Sequence, residues 1–447
     1  MRLLIIGGSD AGTSAALRAR ELDDQVEVTV ALADDFPNFS ICGLPFFLSG
    51  ETPDWRSLAH RTEFDGIEIL KGHRIREIDV AGRSVTAETG AGTSALTYDR
   101  LIVATGASPV RPPLRGIDLP GVHLLHHMMD GFELQSRLAS DPVPRTAAIV
   151  GAGYIGIEMA DALIHRGLEV SLISRTDPVF PTVDAAFGQP IAAELQRNGV
   201  QVFAGREVNA IEANGNQRIV CTADGLRVSA DVVLVAVGTR PEAGLAVAAG
   251  AATGERGALR VDRQMRTQLP QVFAAGDCVE TWHRVLERPT WLPLGTTAHK
   301  QGRITGENAL GNTRSFAGSV GTQTVKVFSL VAARTGLLER EARAAGLNAS
   351  TTEITGWDHK AYYPGAEELR IRIVGDRRTG RLLGGQILGS VKSEVSKRID
   401  VLASALFHGM DVEGISDLDL SYTPPLSSPW DPIQMAAQAW SRENGFR

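Results

Sequence analysis

The residue with the clearest capacity for covalent chemistry is Cys42, in the run Cys42-Gly43-Leu44-Pro45. Proline suits the first turn of a helix. The run therefore predicts a helix starting near Pro45, with Cys42 at its N-terminal end. There the dipole favours a thiolate, the nucleophilic and redox-active form. The sequence has 3 cysteines, too few for a disulfide framework. Cys221 falls in a strand-like run, Ile219 to Thr222, and Cys278 follows another predicted strand. Both read as buried structural thiols, which are usually inert.

A second chemical signal is Gly151-Ala152-Gly153-Tyr154-Ile155-Gly156, set between the apolar run Thr146–Val150 and a helical pattern over 157–166. In such a turn the first glycine makes the bend and the second lets backbone approach a pyrophosphate. The third allows close helix packing, and the helix N-terminus faces the phosphates. Strand, turn and helix together make this a strong dinucleotide fingerprint. The next strand, Glu169–Ile173, ends in Ser174-Arg175. A site for NADH usually offers an acid there, to hold the ribose 2′-OH. A cation without an acid predicts NADPH, with NADH as the alternative cofactor.

The same design occurs once before. Arg2–Ile6 leads into Gly7-Gly8-Ser9-Asp10-Ala11-Gly12, a helical pattern over 14–22 and a strand over 26–32. This copy is degenerate: Ser9 replaces the middle glycine and Leu32 stands at the acid position, with Asp34 and Asp35 beyond it. Two more apolar strands end in glycine, at Ala104-Thr105-Gly106 and at Gly238. A further strand runs from Val272 into Gly276-Asp277.

The elements that must position these residues fit a chain of 447 residues with 47 glycines, long enough for two or three domains of roughly 150 residues. From about residue 320 the texture changes to alternating strands, such as 369–374 and 382–388, followed by a long helix over 393–408. That pattern predicts a separate α+β domain. A net charge of -7 argues against nucleic acid or an anionic membrane as partner. No apolar run is long enough for a transmembrane helix. The first strand starts at Leu3, so no secretory signal is expected and the predicted compartment is the cytoplasm. No metal site is expected, because His126-His127 and His359 lack partners at a ligand spacing.

Four of these motifs, taken in order, resemble the pyridine nucleotide-disulfide oxidoreductases: the Gly7 turn, Ala104-Thr105-Gly106, the Gly151 turn, and Val272 to Asp277. The resemblance implies an α/β protein with two Rossmann-like domains, one for FAD and one for NAD(P)H, plus a C-terminal α+β dimerisation domain. The expected boundaries are 1–112 with 253–322 for FAD, 113–252 for NAD(P)H, and 323–447 for dimerisation. For FAD it implies Gly7, Ser9, Ala11, Gly12, Asp34, Cys42, Ala104, Thr105, Gly106, Asp277 and Thr297, with Asp277 on the flavin ribitol. For the nicotinamide it implies Gly151, Gly153, Tyr154, Ile155, Gly156, Glu158, Ser174, Arg175 and Gly238.

Within that family, Cys42-Gly43-Leu44-Pro45 resembles the active-site motif of the single-cysteine branch: coenzyme A-disulfide reductases, NADH oxidases and peroxidases. His359-Lys360-Ala361-Tyr362-Tyr363-Pro364-Gly365 and Leu420-Ser421-Tyr422-Thr423-Pro424-Pro425 resemble the dimerisation motifs of coenzyme A-disulfide reductases. They imply a homodimer in which Tyr362 and Tyr422 reach the partner's cysteine, with Tyr363 as alternative. Dithiol members carry a second cysteine five positions on, where this chain has Phe47. Cys42 is thus expected to pair with coenzyme A or another low-molecular-weight thiol, with a persulfide, or with oxygen. An electron-transfer reductase and a flavin redox sensor are the other readings. The chain departs from the branch at Glu21, where a phosphate-binding cation is expected, and at Ile41 in place of an amide. It departs again at Asp10, where the oxidases carry a histidine. Arg18, Arg20 and Arg61 could supply charge for coenzyme A, but are expected as solvated surface residues. No rhodanese-like segment is expected after the dimerisation domain.

Overall fold

The computed structural model describes residues 1–446. Two five-stranded sheets form its centre, and every pairing within them is parallel. In the first, the spatial order is Val272–Ala274, Arg100–Val103, Arg2–Ile6, Glu27–Ala31, Ile67–Leu70. In the second it is Gln201–Phe203, Glu169–Ile173, Thr146–Val150, Val232–Val235, Val122–His123. These strands are near-continuous Val, Ile and Leu runs because both faces are covered. Ile5, Ile102, Ile149 and Val233 are fully buried.

In each sheet the first strand sits between the second strand and a much later one, so the strand order reverses there. Open parallel sheets bind ligands at that crevice, outside the carboxyl ends of the strands. Both glycine turns occupy it. The helices expected from residues 14 and 157 begin earlier, as Asp10–Leu22 and Tyr154–His165. Gly12 and Gly156 are poor helix formers, yet each lies in the first helical turn, where close packing on the preceding strand outweighs propensity.

The helix Gly295–Ala309 lies along the helix Asp10–Leu22. Side chains at Gly302 and Gly306 would place a Cβ 2.2 Å from the carbonyl oxygens of Ala11 and Ala15. The two backbones touch only because these positions lack a Cβ.

The C-terminal region is a five-stranded antiparallel sheet in the order Gln323–Val327, Leu330–Gly336, Leu382–Ser390, Glu368–Asp376, Ala349–Trp357. The helices Val395–Phe407 and Pro432–Asn444 pack on it. Trp440 is fully buried there and donates from Nε1 to the Ser350 carbonyl at 3.0 Å. Among the described residues, no helix is long and apolar enough to cross a membrane.

Candidate active site

The two glycine turns are built alike. Gly7 and Gly151 have φ of +102° and +108°, and a Cβ there would meet the carbonyl oxygen of Ala104 or Ala236 at 2.2 and 2.3 Å. A Cβ on Gly12 or Gly156 would lie 1.9 Å from the carbonyl of Gly7 or Gly151. Gly153 is different. Nothing lies within 4 Å of where its Cβ would be, and the same holds for Gly106 and Gly238. These three glycines face open space, which is the geometry a close-lying pyrophosphate and nucleotide require.

The degenerate positions of the first turn now have a physical account. Leu32 is buried, and its Cδ2 would lie 2.2 Å from a Cβ on Gly8. It seals the turn from behind rather than facing a ribose. Asp34 accepts a hydrogen bond from the Phe36 backbone at 3.0 Å, which uses one carboxylate oxygen in a local turn. Ser9 and Ala11 flank the N-terminus of the Asp10 helix, Ser9 exposed and Ala11 buried. Thr105 donates to the Glu242 carbonyl at 2.5 Å, and buried Thr297 bonds Ser319 Oγ at 3.1 Å.

Asp277 follows the strand Val272–Ala274. Burial, and then the charge of Asp10, push its carboxyl up to about 6, against one backbone N–H from Leu294. A half-buried acid with so little hydrogen bonding has capacity left for a polar ligand group. Asp10 is also raised by burial, partly offset by His60 and His299.

Cys42 lies in the short turn Ile41–Gly43, directly before the helix Leu44–Ser49 with Pro45 in its first turn. The residue is exposed, whereas Cys221 and Cys278 are buried. The dipole does not act alone. Although part of the residue's surface is open, the groups packed around its sulfur desolvate it, and this, then the carboxyls of Glu158, Asp10 and Asp277, push the Cys42 thiol up. A six-residue helix faces three acids brought in from elsewhere in the chain.

Glu158 comes from the Tyr154 helix of the second turn. Burial and Asp161 raise it to about 7, with Lys326 opposing. Lys326 reaches in from the C-terminal sheet to Asp161 at 2.8 Å. Pro45, Phe46, Glu51, Glu158, Asp161, Ala162 and Lys326 line one small cavity. Tyr154 is tied to the same sheet through Gln323, and Ile155 is half-buried.

At the other end, Ser174 is buried and its hydroxyl folds back on Thr176, at 3.2 Å from the backbone nitrogen and 3.0 Å from Oγ1. Arg175 is exposed and makes no ion pair among the described residues.

Arg18 and Arg20 are not the solvated side chains expected. Arg18 is held at 2.9 Å by both Glu21 and Glu307, and Arg20 caps the carbonyls of Asp24 and Val26. Glu21, which stands where the resemblance expects a phosphate-binding cation, is thus occupied with Arg18. Arg61 is exposed.

Tyr362 and Tyr422 are 74% and 46% exposed on the C-terminal region. Desolvation, and then the adjacent Tyr362, push the Tyr422 phenol up, so the two tyrosines form a pair. Tyr363 instead packs its ring edge-on to His359 at 5.8 Å. His359 is also mostly buried, with Nδ1 2.9 Å from Asp358. Leu426 and Trp430 lie exposed in the same region, at 69% and 68%. Among the described residues, no group of three or more His, Cys, Asp or Glu is placed to hold a metal.

Residues 1–302 match the pyridine nucleotide-disulphide oxidoreductase family, and residues 322–432 match its dimerisation domain. The chain belongs to this family. It is an oxidoreductase that uses FAD and a nicotinamide nucleotide. The open glycines and the underbonded Asp277 fit those two groups.

The chain is 32% identical over 441 residues to the NAD(P)H sulfur oxidoreductase (CoA-dependent) of Pyrococcus furiosus, covering 98% of each. A NAD-dependent persulfide reductase from A. fulgidus superposes with a TM-score of 0.95 at 34% identity, over 100% of this chain and 84% of that one. A water-forming NADH oxidase from Lactobacillus brevis gives a TM-score of 0.94 at 25% identity, over 100% and 99%. An engineered form of that oxidase, bound to NADPH, matches equally well.

Proposed function

We propose that the enzyme reduces a small disulfide or persulfide with NADPH, through FAD and one redox-active cysteine, Cys42. The observation that carries this is the isolation of Cys42. It is accessible, the other two cysteines are buried, and buried Phe47 stands where a second redox thiol would be needed. A lone thiol can be oxidised and re-reduced only with a sulfur or oxygen from outside the chain. The names of the Pyrococcus and A. fulgidus relatives favour sulfur.

When bound, FAD supplies the two-electron relay between nicotinamide and sulfur. Cys42 holds half of the substrate as a mixed disulfide. Two electrons delivered to that S–S bond release the first thiol and leave the Cys42 thiolate. The thiolate then attacks the next disulfide, forming a new mixed bond and expelling a second thiolate. The two released thiolates take up two protons per cycle, one arriving with the hydride and one drawn from solvent, and each must be relayed to sulfur. Glu158, at about 7, can hold one beside Cys42. Tyr362 and Tyr422 of a second copy can supply the other to the departing sulfur. Their exposure, with Leu426 and Trp430 beside them, supports a homodimer whose site is completed across the interface.

NADPH is favoured over NADH by Ser174-Arg175-Thr176. In the engineered oxidase, an Asp-Ala-Met run became Ala-Arg-Ser, and a glycine eighteen residues earlier was also changed. Gly156 stands eighteen residues before Ser174 in this chain. Coenzyme A or another low-molecular-weight thiol is the proposed acceptor.

The test is Cys42→Ser in flavin-loaded protein. NADPH-dependent reduction of coenzyme A disulfide and smaller disulfides is expected to disappear, and full retention would sink the reading. A second reading, reduction of dioxygen, is favoured by the likeness to the Lactobacillus brevis oxidase. Oxygen uptake that is unaffected by added disulfide would select it.

A further inference from the structure

We infer that Arg206 is the second cation of the NADPH 2′-phosphate site, and so a specificity-determining residue; this rests on the NADPH reading above. A 2′-phosphate carries close to two negative charges at pH 7, and arginine recognises phosphate by paired, planar hydrogen bonds. Arg175 answers one of those charges. In the engineered oxidase a second arginine was introduced seven residues after the first changed strand-end residue. The equivalent spacing here falls on Pro181, so that route to a second charge is closed in this chain.

The fold supplies another. The backbone after the strand Gln201–Phe203 is zipped onto the turn that presents Arg175. Ser174 donates to the Phe203 carbonyl at 2.9 Å, Arg206 donates to the Ser174 carbonyl at 2.8 Å, and Gly205 donates to the Thr176 carbonyl at 3.3 Å. Three backbone hydrogen bonds thus fix the root of Arg206 one strand-width from the root of Arg175. Its guanidinium pairs with Asp224, in the tight turn between the strands Gln217–Thr222 and Arg227–Ala230. The side chains are 40% and 50% exposed, so the pair is a weak surface contact that a phosphate can replace. Asp224 then acts as a holder, keeping the guanidinium extended until the phosphate arrives. Arg340 is the competing cation near Pro181. It donates to the carbonyls of Pro181 and Val183 and lies 3.6 Å from Asp184, so it is spent on the loop itself.

The test compares Arg206→Ala, Arg206→Lys, Arg175→Ala and Arg340→Ala in the flavin-loaded enzyme. Binding of 2′,5′-ADP and of ADP is measured by calorimetry, alongside kcat/KM for NADPH and NADH. Arg206→Ala is expected to weaken 2′,5′-ADP about tenfold and to lower kcat/KM for NADPH by a similar factor. ADP and NADH should stay within about twofold, which also reports an intact fold. Arg206→Lys should recover part of the loss, and Arg340→Ala should leave the ratio unchanged. An unaltered ratio in Arg206→Ala overturns the assignment, as does equal loss with both nucleotides, or a ratio that depends on Arg340. If Arg175→Ala alone lowers the ratio, the NADPH reading stands and only Arg206 is excluded. If the unmodified enzyme binds ADP and 2′,5′-ADP equally, the NADPH reading itself fails.

Discussion

Replacing Glu158 by Gln should make the protein more stable, but only above a certain pH. The carboxyl titrates at 4.5 when unfolded and at about 7 when folded, raised by burial and by Asp161. Below 4.5 both states are protonated and the charge costs nothing. Between those values the folded state keeps a proton that the unfolded chain has released, so stability falls as pH rises. Above 7 the whole cost is present. At about 1.4 kcal/mol per pH unit, that cost is roughly 3 kcal/mol, an upper figure because water reaches part of the side chain. Glutamine carries no such cost. For a region of 150–250 residues, ~2–4 °C accompanies each kcal/mol, so the variant should melt ~6–12 °C higher at pH 8.5. At pH 5 the two proteins should differ little. The same substitution removes the largest charge acting on Cys42, so its alkylation by iodoacetamide should reach half-maximal rate at lower pH. Because the other cysteines are buried, this reaction reads Cys42 selectively. A melting gain that is equal at both pH values, with an unshifted alkylation profile, would refute the placement of Glu158 as a half-buried proton holder beside the thiol.

Gly153→Ala should fold normally, since nothing lies within 4 Å of the new Cβ, yet bind the nicotinamide nucleotide poorly; Gly156→Ala should instead lose stability, because its Cβ would sit 1.9 Å from a carbonyl. Melting and nucleotide titration of the pair separate the two effects. Gly302→Ala forces apart two helix backbones and should cost about 1–3 kcal/mol. Its readout is loss of bound flavin during gel filtration, and full retention would contradict the packing described. Tyr422→Phe should lower disulfide turnover roughly a hundredfold with little change in melting, as expected for a group that donates a proton rather than one that holds the fold. Adding Tyr362→Phe should cost much less than a second hundredfold, since adjacent groups acting together are not additive; fully multiplicative losses would show that the tyrosines act separately.

Much of the architecture was legible because its signals are local. Gly7 and Gly151 need positive φ, Gly12 and Gly156 need contact with the preceding strand, and the apolar strands beside them are continuous. Single residues could announce these facts without reference to the rest of the chain. Leu32 looked like a defect in the first turn and is instead its packing support, because Gly8 leaves room for it. The environment of Cys42 is only partly legible, for the opposite reason. The helix dipole is visible in Cys42-Gly43-Leu44-Pro45, whereas Glu158, Asp10 and Asp277 arrive from three other segments. Lys326 meets Asp161 across 165 positions, and Arg206 meets Ser174 across a strand pair. Arg18 meets Glu307 across 289 positions, so its sequence neighbourhood alone suggests a solvated side chain. Nothing in local pattern marks such pairs; only the sheet order brings them together.

The late strand and the late helix of the first sheet have a consequence for how the protein is made. Val272–Ala274 completes the edge beside Arg100–Val103, and Gly302 and Gly306 close over Ala11 and Ala15. Between Val103 and Val272 the ribosome must add about 170 residues, which takes on the order of 10–30 s at ~5–20 residues per second. Throughout that interval the nascent N-terminal unit has an unpaired strand edge and an uncovered helix face. The second nucleotide-binding sheet, encoded wholly inside the interruption, can fold first. The Gly7 turn and Asp277, which we propose hold the flavin, come together only once the closing strand and helix have been made, so on that reading cofactor loading follows the assembly of the first unit rather than seeding it.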